Sequence, residues 1–446
     1  MTFAVGREDF IMKVTGIIAE YNPFHKGHKY QIDYCKKQLN SDYVIVAMSG
    51  DYVQRGTPAL LPKHVRAEMA LRCGADLVLE MPVSVSTASA EAFAFGGVSM
   101  LDGLHMVDSL CFGSEYGEVS ALMELAEILV KEPEEYRRLL KESLSNGLSF
   151  PSARCQALTE YFRNPRNFTG DDFDGVLTPL LNQIIQILNS PNNILGIEYC
   201  KALLRLKSSI KPVTLKRQGM GYHETLADTD GSISASHTDD NTFASASAIR
   251  ELLKAALMPE TISRITTQVP DEISSLLASS LQRNEFLTED VLDSLLSYCI
   301  LKENTSGLST YLDVSRDLAE RIVNRSNEIK GFLQAASLLK TKELTQTRIQ
   351  RALLHIILGI REVPATVPYA RVLGFRKESS ALLKEIKDSS SIPLITKLAD
   401  ADSLLSEAGK VLLSETTFAS NIYEKLLCQK SGRNFVHEYQ NQLVIL

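Results

Sequence analysis

The spacing of apolar and polar positions changes character twice along the chain. Lys13 to Ala19 forms a short apolar run that reads as a buried strand, and the polar-apolar mixture from Gly27 to Leu39 reads as a helix behind it. Tyr43-Val-Ile-Val-Ala-Met48 is nearly continuous in apolar residues, as expected of a strand covered on both faces of a parallel sheet. Pro62 to Cys73 then predicts a helix with proline at its first turn, and Leu77 to Leu79 a third strand. Ala88 to Leu101 predicts a helix, Ser109 to Phe112 a fourth strand, and Glu118 to Val130 another helix. This alternation is the pattern of a doubly wound α/β domain.

From about residue 131 to 189 the period is helical throughout, which predicts an insertion. The α/β pattern resumes with a helix led by Pro191-Asn-Asn-Ile-Leu-Gly-Ile197 and a strand at Lys211 to Arg217. Gly219 to Thr242 is rich in Gly, Ser, Thr and Asp, and so long a polar loop is a candidate lid. A helix starts near Phe243, and beyond Met258 the pattern predicts helices only, with breaks at Pro364, Pro368 and Asp388 to Pro393. The expected division is an extension at 1–11, an α/β domain at 12–257 and a helical domain at 258–446. Met12 is a plausible start because the strand pattern begins directly after it.

Bulk properties alter this picture little. A chain of 446 residues exceeds one comfortable core, and 44% hydrophobic with 23% charged residues is ordinary for a globular protein. No apolar run is long enough to span a bilayer, and residues 1–11 lack the apolar core of a signal peptide. Seven cysteines without a C-x-x-C pair signal neither a disulfide framework nor a zinc site, and they suit a reducing cytoplasm. The formal charge of −7 argues against a general nucleic-acid coat but leaves room for a local basic face.

The chemistry concentrates where the first strand meets the first helix, in Asn22-Pro-Phe-His-Lys-Gly-His28. Two imidazoles beside a glycine at a helix start can supply hydrogen-bond donors to phosphate oxygens. A second helix start, Ser245-x-Ser247-x-Ile249-Arg250, offers hydroxyls and a guanidinium for the outer phosphates. Each motif alone also fits a structural role, the first as a packed pair and the second as a helix cap. Two such starts in one α/β domain point to His25, His28, Ser245, Ser247 and Arg250 as a nucleotide-handling set. Near the edge after the second strand, Arg55 and Lys63 are secondary candidates for binding a small carboxylate or a phosphate, with Asp51 to orient one of them, although a solvated loop and helix face fits the same residues.

Asn-Pro-Phe-His-x-Gly-His with a distant Ser-x-Ser-x-Ile-Arg resembles the nucleotidylyltransferase superfamily, which shares the motif with class I aminoacyl-tRNA synthetases. Together with Met48-Ser-Gly-Asp-Tyr-Val-Gln-Arg-Gly56, Phe112-Gly-Ser-Glu115, Ser190-Pro-Asn-Asn-Ile194 and Lys216-Arg217, it is similar to the bacterial tRNA(Met) cytidine acetate ligases. The resemblance runs from Met12 almost to the C-terminus. It implies a Rossmann-like nucleotidylyltransferase domain with a helical insertion, followed by an all-α C-terminal domain. It also implies that ATP and acetate give acetyl-adenylate, which acetylates the wobble cytidine of elongator tRNA(Met). ATP would be held by Ile18, Ala19, Glu20, Tyr21, Asn22, Pro23, Phe24, His25, Lys26, Gly27, His28, Lys29, Tyr30 and Gln31, with Gly113, Asn192 and Arg217. Mg²⁺ is a chemical expectation for ATP, with no metal-ligand motif in the sequence.

Many members of the superfamily carry Ser or Thr where Glu20 stands. A carboxylate facing the site would repel a phosphorylated acceptor and so favour a small one such as acetate. Residues 331–380 hold eight basic side chains against three acidic, a local +5 in a chain of −7. Lys340, Lys342, Arg348 and Arg351 are therefore the candidate tRNA contacts, although a solvated charged helix fits the same pattern. A small-molecule adenylyltransferase and a non-catalytic tRNA-binding protein are the alternatives in other functional classes.

Overall fold

The computed structural model describes residues 12–164, 184–217, 246–255 and 259–446. Residues 1–11, Ser245, the candidate lid at 219–242 and part of the expected insertion lie outside the described residues.

Five strands build the centre of one sheet: β1 (Val14–Ala19), β2 (Tyr43–Ser49), β5 (Leu77–Met81), β6 (Ser109–Ser114) and β7 (Lys211–Lys216). A small separate ribbon pairs β3 (Tyr52–Val53) with β4 (Thr57–Pro58) antiparallel. With β8 (Ala370–Phe375), β9 (Leu394–Ile395) and β10 (Val444–Ile445), the order in the large sheet is β10-β8-β5-β2-β1-β6-β7, with β9 beside β8. Strands β5, β2, β1, β6 and β7 run parallel. Chain order grows one way from β1 to β2 and β5, then reverses across β1 to β6 and β7. That reversal opens a crevice beyond the carboxyl ends of β1 and β6, where ligands of open α/β sheets bind.

Side-chain alternation distributes the strands between two cores. Val14 and Ile18 of β1, Ile45 and Ala47 of β2, and Leu77 and Leu79 of β5 pack on one face. Ile17, Val44, Val46, Met48 and Val78 pack on the other. Helices α1 (Lys26–Lys37) and α2 (Lys63–Arg72) flank the sheet, as do α3 (Ala90–Gly103), α4 (Val119–Lys131) and α7 (Pro191–Leu206). Two more, α5 (Glu134–Ser145) and α6 (Phe150–Arg163), stand in the expected insertion, and α8 (Ala246–Ala255) carries Ser247 and Arg250.

The region beyond residue 258 departs from the all-helical expectation. It contains α9 (Pro259–Thr266), α10 (Asp271–Gln282), α11 (Asp293–Lys302), α12 (Arg316–Asn324), α13 (Phe332–Leu339) and α14 (Gln346–Leu358). After these, β8 (Ala370–Phe375) joins the large sheet antiparallel to β5. Helix α15 (Ser380–Ser389), β9 (Leu394–Ile395), the 25-residue α16 (Glu407–Ser431) and β10 (Val444–Ile445) complete the order. A six-residue apolar run between longer helical patterns is too short to betray its period, and only the free edge of β5 makes it a strand. The helices of this region have their own apolar cluster, into which Tyr52 of β3 also packs.

Candidate active site

A cleft of about 440 Å³ lies at the crevice. Its lining gathers Ile18, Ala19, Glu20, Tyr21, Asn22, His25, Gly27, His28, Tyr30 and Gln31 from β1 and α1. Gly113 and Glu115 come from the end of β6, Asn192 from α7, Arg217 from beyond β7, and Ser247 and Arg250 from α8. Residues more than 200 positions apart in sequence therefore converge on one wall.

The two histidines are held by backbone N–H groups at the start of α1. His25 is the N-cap of α1, and its Nδ1 accepts from the Gly27 N–H at 3.1 Å. His28 completes the reciprocal box, its Nδ1 accepting from the His25 N–H at 3.2 Å. The rings stack with centroids 3.7 Å apart. A nitrogen that accepts carries no proton, so in the neutral ring the proton sits on Nε2 of each. Burial, with Arg217 and Arg250 nearby, pushes the His25 pKa down to about 3. Burial and then His25 push His28 well below its ordinary value. Both imidazoles are thus neutral Nε2–H donors near pH 7, and the positive charge of the cleft comes from arginine.

Arg250 donates to the Asn22 carbonyl at 2.5 Å and to Ser247 Oγ at 3.2 Å. Burial lowers its pKa and that of Arg217, and Arg55 adds to the effect on Arg250. Gly113 lies under Arg217: a Cβ there would stand 3.3 Å from the arginine Cγ. The glycine therefore makes room for the arginine stem. The Asn192 amide donates to Glu115 Oε1 at 2.6 Å, and the same carboxylate takes the Asn193 N–H at 2.9 Å. Glu115 thereby caps α7 and fixes Asn192 at the cleft.

Other expectations need correction. Pro23 and Phe24 are buried below the cleft, Lys26 is exposed, and Lys29 reaches Glu272 at 3.0 Å instead of lining the cavity. Lys63 is fully buried in an ion cluster, 2.6 Å from Glu80, 2.7 Å from Glu438 and 3.6 Å from Asp51. Arg371 joins it through Glu80 at 2.5 Å and through Glu438. Burial opposes the charge on Lys63, but Glu438 and Glu80 outweigh it and raise its pKa. Lys63 and Asp51 are therefore structural, and Arg371 is withdrawn from the basic surface. Arg55 does line the cleft. Lys340, Lys342 and Arg348 are exposed, whereas Arg351 is half-buried and paired with Asp313 at 3.1 Å. The Glu20 carboxylate accepts from the Gln54 N–H at 2.8 Å, so it meets the protein's own backbone.

Sequence reading missed Gln54 and the apolar side of the cleft, where Phe93, Phe112, Leu195, Tyr199 and Leu215 provide a surface for a flat ring. Phe112 and Tyr199 pack with centroids 5.5 Å apart. Gln54 and Phe112 stood in quoted motifs, but the others look like ordinary core residues.

The family model of the HIGH nucleotidyl transferases matches residues 12–438. The chain belongs to that family. The tRNA(Met) cytidine acetate ligase of Acetivibrio thermocellus is 37% identical, covering 98% of this chain and 100% of its own. That of Clostridium acetobutylicum is 40% identical over 87% of this chain and 90% of its own. Among solved structures, Thermotoga maritima TmcAL bound with alpha-thio ATP matches with a TM-score of 0.83 and 27% identity, covering 98% of this chain and 100% of that one. Its apo form I matches with a TM-score of 0.85 and 26% identity over the same shares. No helix among the described residues of this HIGH nucleotidyl transferase is long and apolar enough to cross a membrane.

Proposed function

We propose that this protein is an ATP-dependent tRNA(Met) cytidine acetate ligase. The observation that carries the reading is the cleft itself: two imidazoles fixed as neutral donors beside Arg217 and Arg250, in a chain whose full-length relatives bear that name. An acetate oxygen attacks the α-phosphorus of ATP and pyrophosphate leaves. The cytidine exocyclic amine then attacks the acetyl carbonyl, and AMP leaves as the amine loses a proton. His25, His28, Gly27 and the start of α1 donate to the phosphate oxygens, and Arg217 and Arg250 offset the charge that develops on the departing pyrophosphate. The apolar wall at Phe112 and Tyr199 receives the adenine. Exposed Lys340, Lys342 and Arg348 supply backbone contacts for elongator tRNA. Mg²⁺ would travel with ATP. Among the described residues no group of three or more His, Cys, Asp or Glu could hold a metal by itself, so the phosphates would supply a large share of its ligands.

The test is mass spectrometry of nucleosides from tRNA incubated with the protein, ATP and isotopically labelled acetate. Labelled N4-acetylcytidine at the wobble position is the expected result. Pyrophosphate release indifferent to acetate and stimulated by a phosphorylated small molecule would instead make the protein a small-molecule adenylyltransferase.

A further inference from the structure

One side of the cleft is a hairpin tip pinned from two directions. β3 and β4 are joined by Gln54, Arg55 and Gly56, and the first two line the cleft. On the cleft side, Glu20 Oε1 accepts from the Gln54 N–H at 2.8 Å. Glu20 is itself anchored, because the buried Arg66 donates to its carbonyl at 2.6 Å and also holds the Ser49 and Gly50 carbonyls. On the far side, Gly56 has φ +74° and lies against the backbone of α14. A Cβ there would come within 2.4 Å of the Arg351 nitrogen and 2.6 Å of the Gln350 carbonyl carbon. Those are atoms of a packed helix, which cannot swing aside as a side chain can.

We infer that Glu20 and Gly56 are positioning residues that fix the Gln54–Gly56 tip as a wall of the nucleotide cleft, Glu20 acting as a hydrogen-bond acceptor. The carboxylate takes a backbone N–H, a task that an amide oxygen can also perform, whereas electrostatic exclusion of an anionic acceptor needs the charge. The inference rests on the nucleotide reading of the cleft.

The experiment is calorimetric titration of the full chain with ATP, alongside thermal unfolding of each variant. Glu20→Ala is expected to weaken ATP binding about tenfold, and Glu20→Gln to restore it to within about threefold of the unsubstituted protein. Gly56→Ala is expected to weaken binding at least as much as Glu20→Ala while the protein still unfolds cooperatively. Glu20→Gln behaving like Glu20→Ala would show that the charge matters and overturn the acceptor role. ATP binding unchanged in both alanine variants would overturn the positioning of the wall. Absence of ATP binding by the unsubstituted protein would instead reject the nucleotide reading. Should Gly56→Ala fail to fold, the Glu20 pair decides alone.

Discussion

Two sets of buried charges stand at the same edge of the sheet and behave oppositely. In the cluster of Lys63, Glu80, Arg371, Glu438 and Asp51, every cation meets carboxylates within ion-pair distance. In the cleft, the described hydrogen bonds of Arg250 go to neutral oxygens, burial outweighs the favourable pull of Glu20, Glu289 and Glu251 on its charge, and the neighbouring imidazoles are neutral. The first set cancels within the protein and welds elements together. The second leaves positive potential where an anion can complete it. Burial of charge is thus no guide to function until its partners are counted.

The comparison is broken most directly by removing one member from each set. Lys63→Met should destabilise the fold by about 3–5 kcal/mol, because Arg371 alone is then left to offset the buried carboxylates of Glu80 and Glu438; urea unfolding measures this. Arg217→Ala should lower kcat/KM for ATP by ~10²–10³-fold, about 2.7–4 kcal/mol, the scale seen when a donor to developing negative charge is removed. Its unfolding midpoint should hold or rise, since a poorly compensated cation is lost; a large fall would erase the distinction.

Acidity gives a third, smaller effect. The folded-state pKa of His25, about 3, lies below its ordinary 6.5. Between these values the unfolded chain binds a proton that the folded chain refuses, so stability is lost as pH falls from 6.5 toward 3. The slope due to His25 approaches ~1.4 kcal/mol per pH unit. Urea midpoints from pH 6.5 to 4.5 should show a shallower slope in His25→Asn. The smallest effect belongs to Lys29→Ala, whose pairing with Glu272 is largely solvated: a stability change below ~1 kcal/mol is expected, with ATP affinity altered less than twofold in calorimetry.

The strand-helix alternation and the histidine motif were legible because each is local: a run of Val and Ile sets a strand, and His25 and His28 box each other three residues apart. Ser247 and Arg250 could be placed by motif alone. Lys63 could not be assigned, since its partner Glu438 is 375 positions away and a lysine near a strand end looks the same in either setting. Glu20 lines the cleft, but its hydrogen bond from the backbone N–H of Gln54 could not be read, because such a partner leaves no mark in a sequence. The β8 run was hidden for a similar reason: its hydrogen-bonding partner, β5, precedes it by almost 300 residues.

The seating of β8 and β10 has a consequence for synthesis on the ribosome. β5 gains its antiparallel neighbour only with residues 370–375, and Glu80 and Lys63 gain Arg371 and Glu438 only once those distant residues have emerged. Until then the N-terminal part exposes an unpaired strand edge, and the group of Lys63, Glu80 and Asp51 lacks its two distant members. Residues on both sides of 257/258 thus complete one sheet and one charge cluster.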